Sequence, residues 1–516
     1  MLLCSYRSDA ASHVNEGNRL KRNVPALTTS TERRDDLTRR RLLKAALVGA
    51  SLLITDRIAQ RAGAIPTTAA RRPNILLLVT DDQRADSLSC AGNPVLKTPN
   101  IDVLANNGVR FRNSFATTAI CMSSRASILT GMYTRVHGVD DFIKPLPTDL
   151  FQQSYPMQLR RAGYRTGFIG KWGIDGGTLP TDHYDFFKGY QGQGSYFNPE
   201  TGRHETMVKA EQAVEFLRSS KPDQPFCLQV SFKAPHVQDE GRAMPGIYAK
   251  YPYDRALEHL YQEDVVPPVR TRDATAQPHL LDKTLNRTRE AVDFEPVTYQ
   301  ETMKDLYRLI SGVDQAVGKI TAELKSLGMD DNTVILYTSD HGSFYGEHGF
   351  GGKWLMHEES IRTPMILYDP RRSANLRGRT CDGMVLNLDV PATLLDLAGL
   401  PTMPAMQGKS LLPLANGGAV PWRTEWFYEN HFRNHAPGLI AASEGVRTSE
   451  WKYVRYIDAD PVVEQLFHLP SDPREENDLV GDSSRAAVLD QLRQRWAKWN
   501  QALSKHDVTR RWIDPA

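Results

Sequence analysis

The sequence predicts an α/β protein: a large domain whose central sheet carries helices on both faces, followed by a small antiparallel sheet with a packed helix. Three observations predict it. Strand-like apolar runs alternate with helical patterns over residues 70–415, the signature of a layered α/β sheet. The apolar runs end in polar groups: Asp81-Asp82, Gly170-Lys171, Lys233-Ala234-Pro235-His236 and Asp340-His341. Ligand sites of open α/β sheets lie at such strand ends. From about Pro421 the pattern changes to short aromatic strands and a final amphipathic stretch, which sets residues 420–516 apart.

The elements follow in order. Residues 1–64 read as an export signal with an N-terminal extension. Thr38-Arg39-Arg40-Arg41-Leu42-Leu43-Lys44 precedes an apolar run from Ala45 to Ile54, and Ala62-Gly63-Ala64 fits a small-residue cleavage site. The run is too short to span a bilayer as a helix. The adjacent arginines look like a twin-arginine signal, which moves folded proteins. The expected mature chain is therefore exported, periplasmic or extracellular, after cleavage near Ala64, with no stable membrane span.

Asn74–Thr80 is a continuous apolar run, as a buried central strand requires. Further strands are expected at Thr166–Ile169, Phe226–Phe232, Thr333–Thr338 and Met365–Tyr368. Helices are expected at Pro156–Ala162, Thr206–Arg218, Tyr299–Leu327 and Val390–Leu397, the last stopped by Gly399 with Pro401 beyond. Residues 237–298 are rich in Pro and charge with weak periodicity, and so long a connection is functional or disordered. In the C-terminal part, Glu425–Glu429, Trp451–Tyr456 and Gln465–Leu469 read as strands and Ser484–Leu503 as a helix.

Composition excludes some functions. The chain has 516 residues, 40% hydrophobic and 24% charged, as an ordinary globular protein does. Its net charge of +2 comes from the signal. Residues 1–64 hold 12 of the 63 basic and 6 of the 61 acidic residues, leaving 51 against 55 and a net of −4. That balance gives no electrostatic claim on nucleic acid. Of the five cysteines, Cys4 leaves with the signal, and Cys227 lies in an apolar run as a core thiol.

The most informative segment is Cys121-Met122-Ser123-Ser124-Arg125-Ala126-Ser127-Ile128-Leu129-Thr130-Gly131. A thiol and a guanidinium four residues apart share one face of a helix. Ile128 and Leu129 can anchor that helix and Gly131 can end it. Cys121 then sits at the helix N-terminus, where backbone N–H groups favour negative charge. Asp81 and Asp82 are adjacent carboxylates that repel, and a metal or positive cluster relieves them. With Asp340 and His341 they suit a hard divalent cation, Ca²⁺ or Mg²⁺.

These motifs resemble the sulfatase family over nearly the whole mature chain. The 121–131 segment resembles its signature, Cys-x-(Pro or Ala)-Ser-Arg followed by a helix ending in Thr-Gly. Pro73-Asn74-Ile75 into Asp81-Asp82-Gln83-Arg84, Gly170-Lys171-Trp172, Lys233–His236, and Ser339–Gly342 through Gly346-Glu347-His348-Gly349 to Lys353 match later motifs in order. Val446–Tyr456 and Leu466–Leu479 resemble the family's C-terminal subdomain.

The resemblance implies an alkaline-phosphatase-like fold with a mixed central sheet. It implies that Cys121 is oxidised to formylglycine (3-oxoalanine) by a formylglycine-generating enzyme. Asp81, Asp82, Asp340 and His341 fall on metal-ligand positions, modified Cys121 adds an oxygen ligand, and Ca²⁺ is favoured over Mg²⁺. Arg125 falls on the residue that steadies the hydrated aldehyde. Lys171, His236 and Lys353 fall on sulfate-binding and leaving-group positions. The implied activity is hydrolysis of a sulfate ester.

Two positions depart from the pattern. Ser123 stands where the family usually has Pro or Ala. Gly173 stands where the family often has a histidine, and His137, His183 and His357 are the candidates to supply that contact, each more readily a substrate-side or packing residue. Asp182-His183, Gly192–Pro199 and the 237–298 segment are expected to line the substrate pocket. Arg270, Arg272, Arg287 and Arg289 are candidates for holding anionic groups, with a solvated loop as the alternative. A carbohydrate sulfate is favoured. The alternatives are a phosphodiesterase or phosphonate monoester hydrolase on the same scaffold, and a non-catalytic sulfated-glycan-binding protein should Cys121 stay a thiol.

Overall fold

The strand β1 (Asn74–Thr80) is the axis of the fold, and all seven of its residues are buried. Its side chains alternate between two cores, as a strand's period of two dictates. Leu76 and Leu78 face one core with the helices Glu205–Arg218 and Tyr299–Ser326. Ile75, Leu77 and Val79 face the other, with the helices Cys121–Thr130, Tyr155–Arg161 and Asp389–Leu397. A strand covered on both faces reads as an unbroken apolar run, which is how this one reads. The structure is a computed structural model and describes residues 71–238, 251–272, 280, 285–287, 294–432, 439–506 and 508–515. The expected export signal and Arg289 lie outside the described residues.

Seven further strands complete this sheet: β2 (Val109–Phe111), β3 (Arg165–Lys171), β4 (Phe186–Tyr190), β5 (Phe226–Ser231), β6 (Thr333–Ser339), β7 (Met365–Tyr368) and β8 (Arg379–Cys381). Their order is β8-β2-β7-β6-β1-β5-β3-β4. Pairings from β6 through β4 are parallel, whereas β7 runs antiparallel to both β6 and β2. The sheet is therefore mixed.

The strands β9 (Glu425–Asn430), β10 (Ser443–Thr448), β11 (Trp451–Tyr456) and β12 (Val463–His468) form a four-stranded antiparallel sheet. The helix Ala486–Ser504 buries Leu489, Leu492, Trp499 and Leu503 against it. The same core takes in Phe115, whose ring stacks on Trp426 at 5.2 Å. β10 has no counterpart among the expected strands. Among the described residues no helix is long and apolar enough to cross a membrane, and the four described cysteines are free.

Candidate active site

Register brings the expected residues together. Thr80 of β1 pairs with Ser339 of β6, Val79 of β1 with Ser231 of β5, and Ser231 with Gly170 of β3. Asp81, Asp340, Lys171 and the Lys233–His236 turn therefore leave the sheet along one edge. Gly170 is required there. Its φ is +95°, and a Cβ would stand 2.0 Å from the Ser231 carbonyl oxygen. Asp82 follows with φ of 65°, a left-handed conformation unusual for a side-chain-bearing residue and a mark of functional sites.

The helix Cys121–Thr130 starts from extended Ile120 and ends at left-handed Gly131. All ten residues are buried, the serines and Arg125 included. Local polar contacts make that tolerable, since buried polar groups need partners. Ser123 Oγ donates to the Val139 carbonyl at 2.8 Å, and Ser127 Oγ lies 3.1 Å from His137 Nε2. Ser124 Oγ donates to the Asp340 carbonyl and accepts from Asn387 Nδ2 at 2.9 Å. The helix is thereby tied directly to the end of β6.

Everything converges on the sulfur of Cys121. Sγ donates to Asp81 Oδ1 at 3.3 Å, accepts from Lys353 Nζ at 3.2 Å and lies 3.4 Å from His341 Nε2. Lys353 Nζ also donates to Asp82 Oδ1 at 2.7 Å. Lys171 Nζ pairs with Asp81 and donates to Gln193 Oε1 at 2.6 Å. Arg125 Nε donates to Asp340 Oδ2 at 2.9 Å, and its Nη1 reaches the Lys171 carbonyl at 2.9 Å and the Ser231 hydroxyl. His236 Nε2 faces Asp82 Oδ2 at 3.7 Å, with Nδ1 2.7 Å from the Val237 carbonyl.

Burial and charge oppose each other here. Burial works against ionising Asp81, yet Lys171, His236, Arg125 and Lys353 hold it well below the usual carboxylate range. Asp340 is raised by burial and by its neighbour Asp81. His341 is raised to about 9, because Asp340 overcomes the burial that would lower it. Burial leaves His236 well below the ordinary histidine value.

The donor atoms of Asp81, Cys121, Asp340 and His341 lie within 4.8 Å of one another, and so do those of Asp81, Asp82, Cys121 and His236. Two overlapping sets rich in carboxylate oxygens fit one hard divalent cation. His341 Nδ1 lies 2.9 Å from the Gly342 carbonyl, which leaves Nε2 turned to the cluster in the manner of an oriented ligand.

Gly173 lies against Arg125. With φ of +73°, a Cβ there would stand 2.4 Å from Arg125 Cδ. The space a side chain would fill is taken by the arginine that links Asp340, Ser231 and Lys171. None of the three candidate histidines reaches the cluster. His137 braces the helix through Ser127, His183 packs on the Phe151 ring at 5.3 Å, and His357 sits among Phe344, Phe350 and Phe467. Sequence reasoning missed Ser231 and Asn387, whose contacts span more than a hundred residues and leave no local signal; Ser124 lies in the signature segment, but its bond to the end of β6 does not show there.

On the substrate side, Gln193 reaches Lys171, and Tyr196 OH donates to the His236 carbonyl at 2.5 Å. Asp182 and His183 line a separate cavity with Trp172. Arg272 and Arg287 donate to the carbonyls of Phe294 and Gly349, at 2.8 Å each, so both brace loops.

A mixed sheet carrying this charge cluster on its strand ends defines an alkaline-phosphatase-like hydrolase. Within that class the chain belongs to the sulfatase family: the Sulfatase family matches residues 73–400, and the N-sulphoglucosamine sulphohydrolase C-terminal family matches residues 346–502. The chain is 31% identical over 492 residues to N-acetylglucosamine-6-O-sulfatase of Bacteroides thetaiotaomicron, covering 82% of this chain and 85% of that protein. A solved structure of a protein in complex with its substrate D-glucosamine-2-N,6-O-disulfate aligns with a TM-score of 0.73 and 27% identity, covering 85% of this chain and 99% of that one. A phosphonate monoester hydrolase of Agrobacterium radiobacter shares the fold, with a TM-score of 0.70 and 24% identity, over 84% of this chain and 96% of that one. The chain is thus a sulfuric ester hydrolase, and its family implies a metal and a formylglycine.

Proposed function

We propose that the protein hydrolyses a sulfate ester on a saccharide, using residue 121 in its formylglycine form with a divalent cation, Ca²⁺ before Mg²⁺. The observation that carries this is the convergence of Asp81, His341 and Lys353 on the single atom Cys121 Sγ. Asp81, Asp82, Asp340 and His341 would hold the cation. When present, the cation and the modified residue supply charge neutralisation and a hydroxyl nucleophile, respectively.

The chain's own residues supply the rest. Lys171, on Asp81, and Lys353, on Asp82 and Cys121 Sγ, bring two ammonium groups to the cluster, where they neutralise the equatorial sulfate oxygens, often the largest catalytic term. Arg125, fixed by Asp340 and Ser231, holds position 121 in register with the carboxylates. His236 directs Nε2 into the cluster; its Nδ1–H is held by the Val237 carbonyl, so Nε2 must first take up a proton before it can pass one to the departing alcohol oxygen. Gln193 orients Lys171. The saccharide reading rests on the relatives whose names specify sugar sulfates, N-acetylglucosamine-6-O-sulfatase and ulvan-active sulfatase among them.

The test is a pair of assays on one preparation, against a panel of monosaccharide sulfates and against a phosphodiester. A sugar sulfate is the expected preferred substrate. A phosphodiester preferred by orders of magnitude in kcat/KM overturns the assignment in favour of the phosphodiesterase or phosphonate hydrolase alternative.

Maturation and export complete the proposal. Ser123 is small, as the alanine of the family signature is, and its hydroxyl is satisfied after folding by the Val139 carbonyl. A formylglycine-generating enzyme therefore reads this segment before the helix is buried. Residues 1–64 direct export as a twin-arginine signal, and 70–415 and 420–516 form the catalytic domain and C-terminal subdomain of the mature enzyme. Replacing Arg39, Arg40 and Arg41 by Lys should retain folded enzyme in the cytoplasm. Unchanged export of that variant defeats the assignment of the signal.

A further inference from the structure

Two cavities of about 460 and 260 Å³ adjoin each other beside the catalytic cluster, and Arg84, Asp86, Glu359 and Arg474 line both. Each is near the size of ordinary small-molecule sites. They lie at the same end of the sheet as the cluster. Arg84 is two residues past Asp82, the Ala85 amide donates to the Arg362 carbonyl at 3.2 Å, and Tyr345 OH reaches the Asp82 carbonyl at 3.4 Å.

The charges along this groove are unevenly spent. Arg84 is held by Asp86 and Glu347, and Arg112 by Asp382. Glu358 is held by Arg447 and Lys452. Arg362 donates to the Arg112 carbonyl, which leaves three lining guanidinium groups: Arg110 in the larger cavity, Arg270 in the smaller and Arg474 in both. Among the described residues none of the three makes a hydrogen bond or ion pair. Between them, Tyr299, Tyr307 and Tyr345 wall the smaller cavity.

We propose that this groove is a non-catalytic binding site for an anionic segment of a sulfated polysaccharide, a reading that rests on the saccharide substrate proposed above. Guanidinium groups pair with sulfate and carboxylate through two parallel N–H bonds. The tyrosine hydroxyls are already engaged, Tyr299 on the Pro267 carbonyl and Tyr345 on the Asp82 carbonyl, so these rings shape the wall and the guanidinium groups do the binding. The groove holds the polymer while a sulfate ester on it is presented to the cluster. Small substrates do not need it.

The test uses full-length protein carrying Cys121→Ala, titrated calorimetrically with a heparin octasaccharide and with the same octasaccharide chemically desulfated. Adding Arg110→Ser and Arg474→Ser should raise Kd for the sulfated probe about tenfold or more, as loss of charge-assisted pairs implies. Binding of the desulfated probe should not change. Neither side chain has a partner among the described residues, so the thermal midpoint should stay put and report an intact fold. In the Cys121 enzyme, the same pair should lower kcat/KM on the polymer while leaving it unchanged on a monosaccharide sulfate. Equal affinity of parent and variant for the sulfated octasaccharide overturns the groove. So does affinity that is lost on Lys171→Ala and indifferent to the arginines, because the probe then occupies the catalytic cluster alone. Arginine-dependent binding by a protein that hydrolyses no sugar sulfate keeps the groove and removes the substrate reading.

Discussion

The molecule buries two clusters of opposite charges, and they are built on different plans. Under the C-terminal sheet, Lys452 is fully buried and bonded to the Met356 carbonyl at 2.7 Å, to Glu358 Oε1 at 3.0 Å and to Glu475. Arg447 closes on Glu358 at 2.9 Å, and Glu475 Oε2 accepts from the Glu358 amide at 2.8 Å. Burial works against ionising Glu358, but Arg447 and Lys452 hold it far below the carboxylate range. This cluster closes on itself. At the ends of β1 and β6 each carboxylate also has a cation, yet the groups turn toward one shared atom, Cys121 Sγ. Arg125 Nη2 is buried with no hydrogen bond among the described residues, only a looser ion pair with Asp81 Oδ2 at 3.5 Å. Pairing that closes on itself locks strands together. Pairing that converges on a point leaves charge available to something that arrives there.

The contrast is broken if the two clusters respond alike. Cys121→Ala should abolish turnover, a loss on the order of 10⁴-fold or more, as removal of a nucleophile does. Its thermal midpoint should move little. Mass spectrometry of the peptide spanning Cys121, from protein matured in a competent host, should show an aldehyde there. Unmodified thiol in protein that still hydrolyses sulfate esters would sink the nucleophile assignment, and thiol in inactive protein would favour the glycan-binding alternative. Chelation should have the next largest effect. Activity should fall by orders of magnitude with only a modest change in thermal midpoint, because sheet register already fixes Asp81, Asp82, Asp340 and His341. Outright unfolding on chelation would make the site structural.

Lys452→Met should do the reverse. Removing one partner of a buried cluster costs about 3–5 kcal/mol, readable in a denaturant titration. Activity per folded molecule should persist. A variant that is stable but inactive would join the two clusters into one functional unit.

The difference between the clusters explains what the sequence could reveal. Asp81-Asp82, Asp340-His341 and the Cys121–Arg125 spacing are local patterns at the ends of apolar runs, so they were legible. β10 was not. Ser443-Glu-Gly-Val-Arg-Thr448 holds one large apolar residue and a central glycine, yet it lies inside the four-stranded sheet. Gly445 is needed because a Cβ there would meet Met356 Sδ and the Tyr453 carbonyl, each at 2.4 Å. Strand identity at that place is set by pairing with β9 and β11 and by packing against Met356, not by the segment's own residues. The same holds for Ser231 and Asn387, ordinary polar residues that gain their roles from register alone.

Gly173→Ala sharpens the comparison inside the catalytic cluster. The new Cβ would meet Arg125 Cδ at 2.4 Å in a left-handed backbone, a strain on the order of 1 kcal/mol before any clash. Arg125 must shift, and with it the link from Asp340 to Lys171. We expect kcat/KM to fall about 10–100-fold, as for a misplaced positioning group, with a drop of a few degrees in thermal midpoint. Full activity in Gly173→Ala would show that Arg125 need not stand where it does.

The smallest effect concerns Glu359, which lies between the two clusters and belongs to neither. Its carboxyl is raised to about 8, by burial first and then by Glu347, with Glu475 adding to both and Arg84 opposing. Arg84 is already bound by Asp86 and Glu347. His348 Nε2 faces Glu359 at 3.9 Å, but burial lowers that histidine to about 4, so it brings no charge. The sign follows directly. The folded state keeps the proton to higher pH than the unfolded chain, whose glutamate ionises near the ordinary value of about 4.3. The stability tied to that proton is fully present below pH ~4.3 and is lost as pH rises through about 8. Glu359→Gln keeps the neutral shape and removes the titration. Its thermal midpoint should decline less than the parent's between pH 5 and 8, by about 2–4 °C, with activity on a monosaccharide sulfate at pH 7 unchanged. Parallel curves for parent and variant would mean that Glu359 finds a cation in solution and belongs with the paired charges after all.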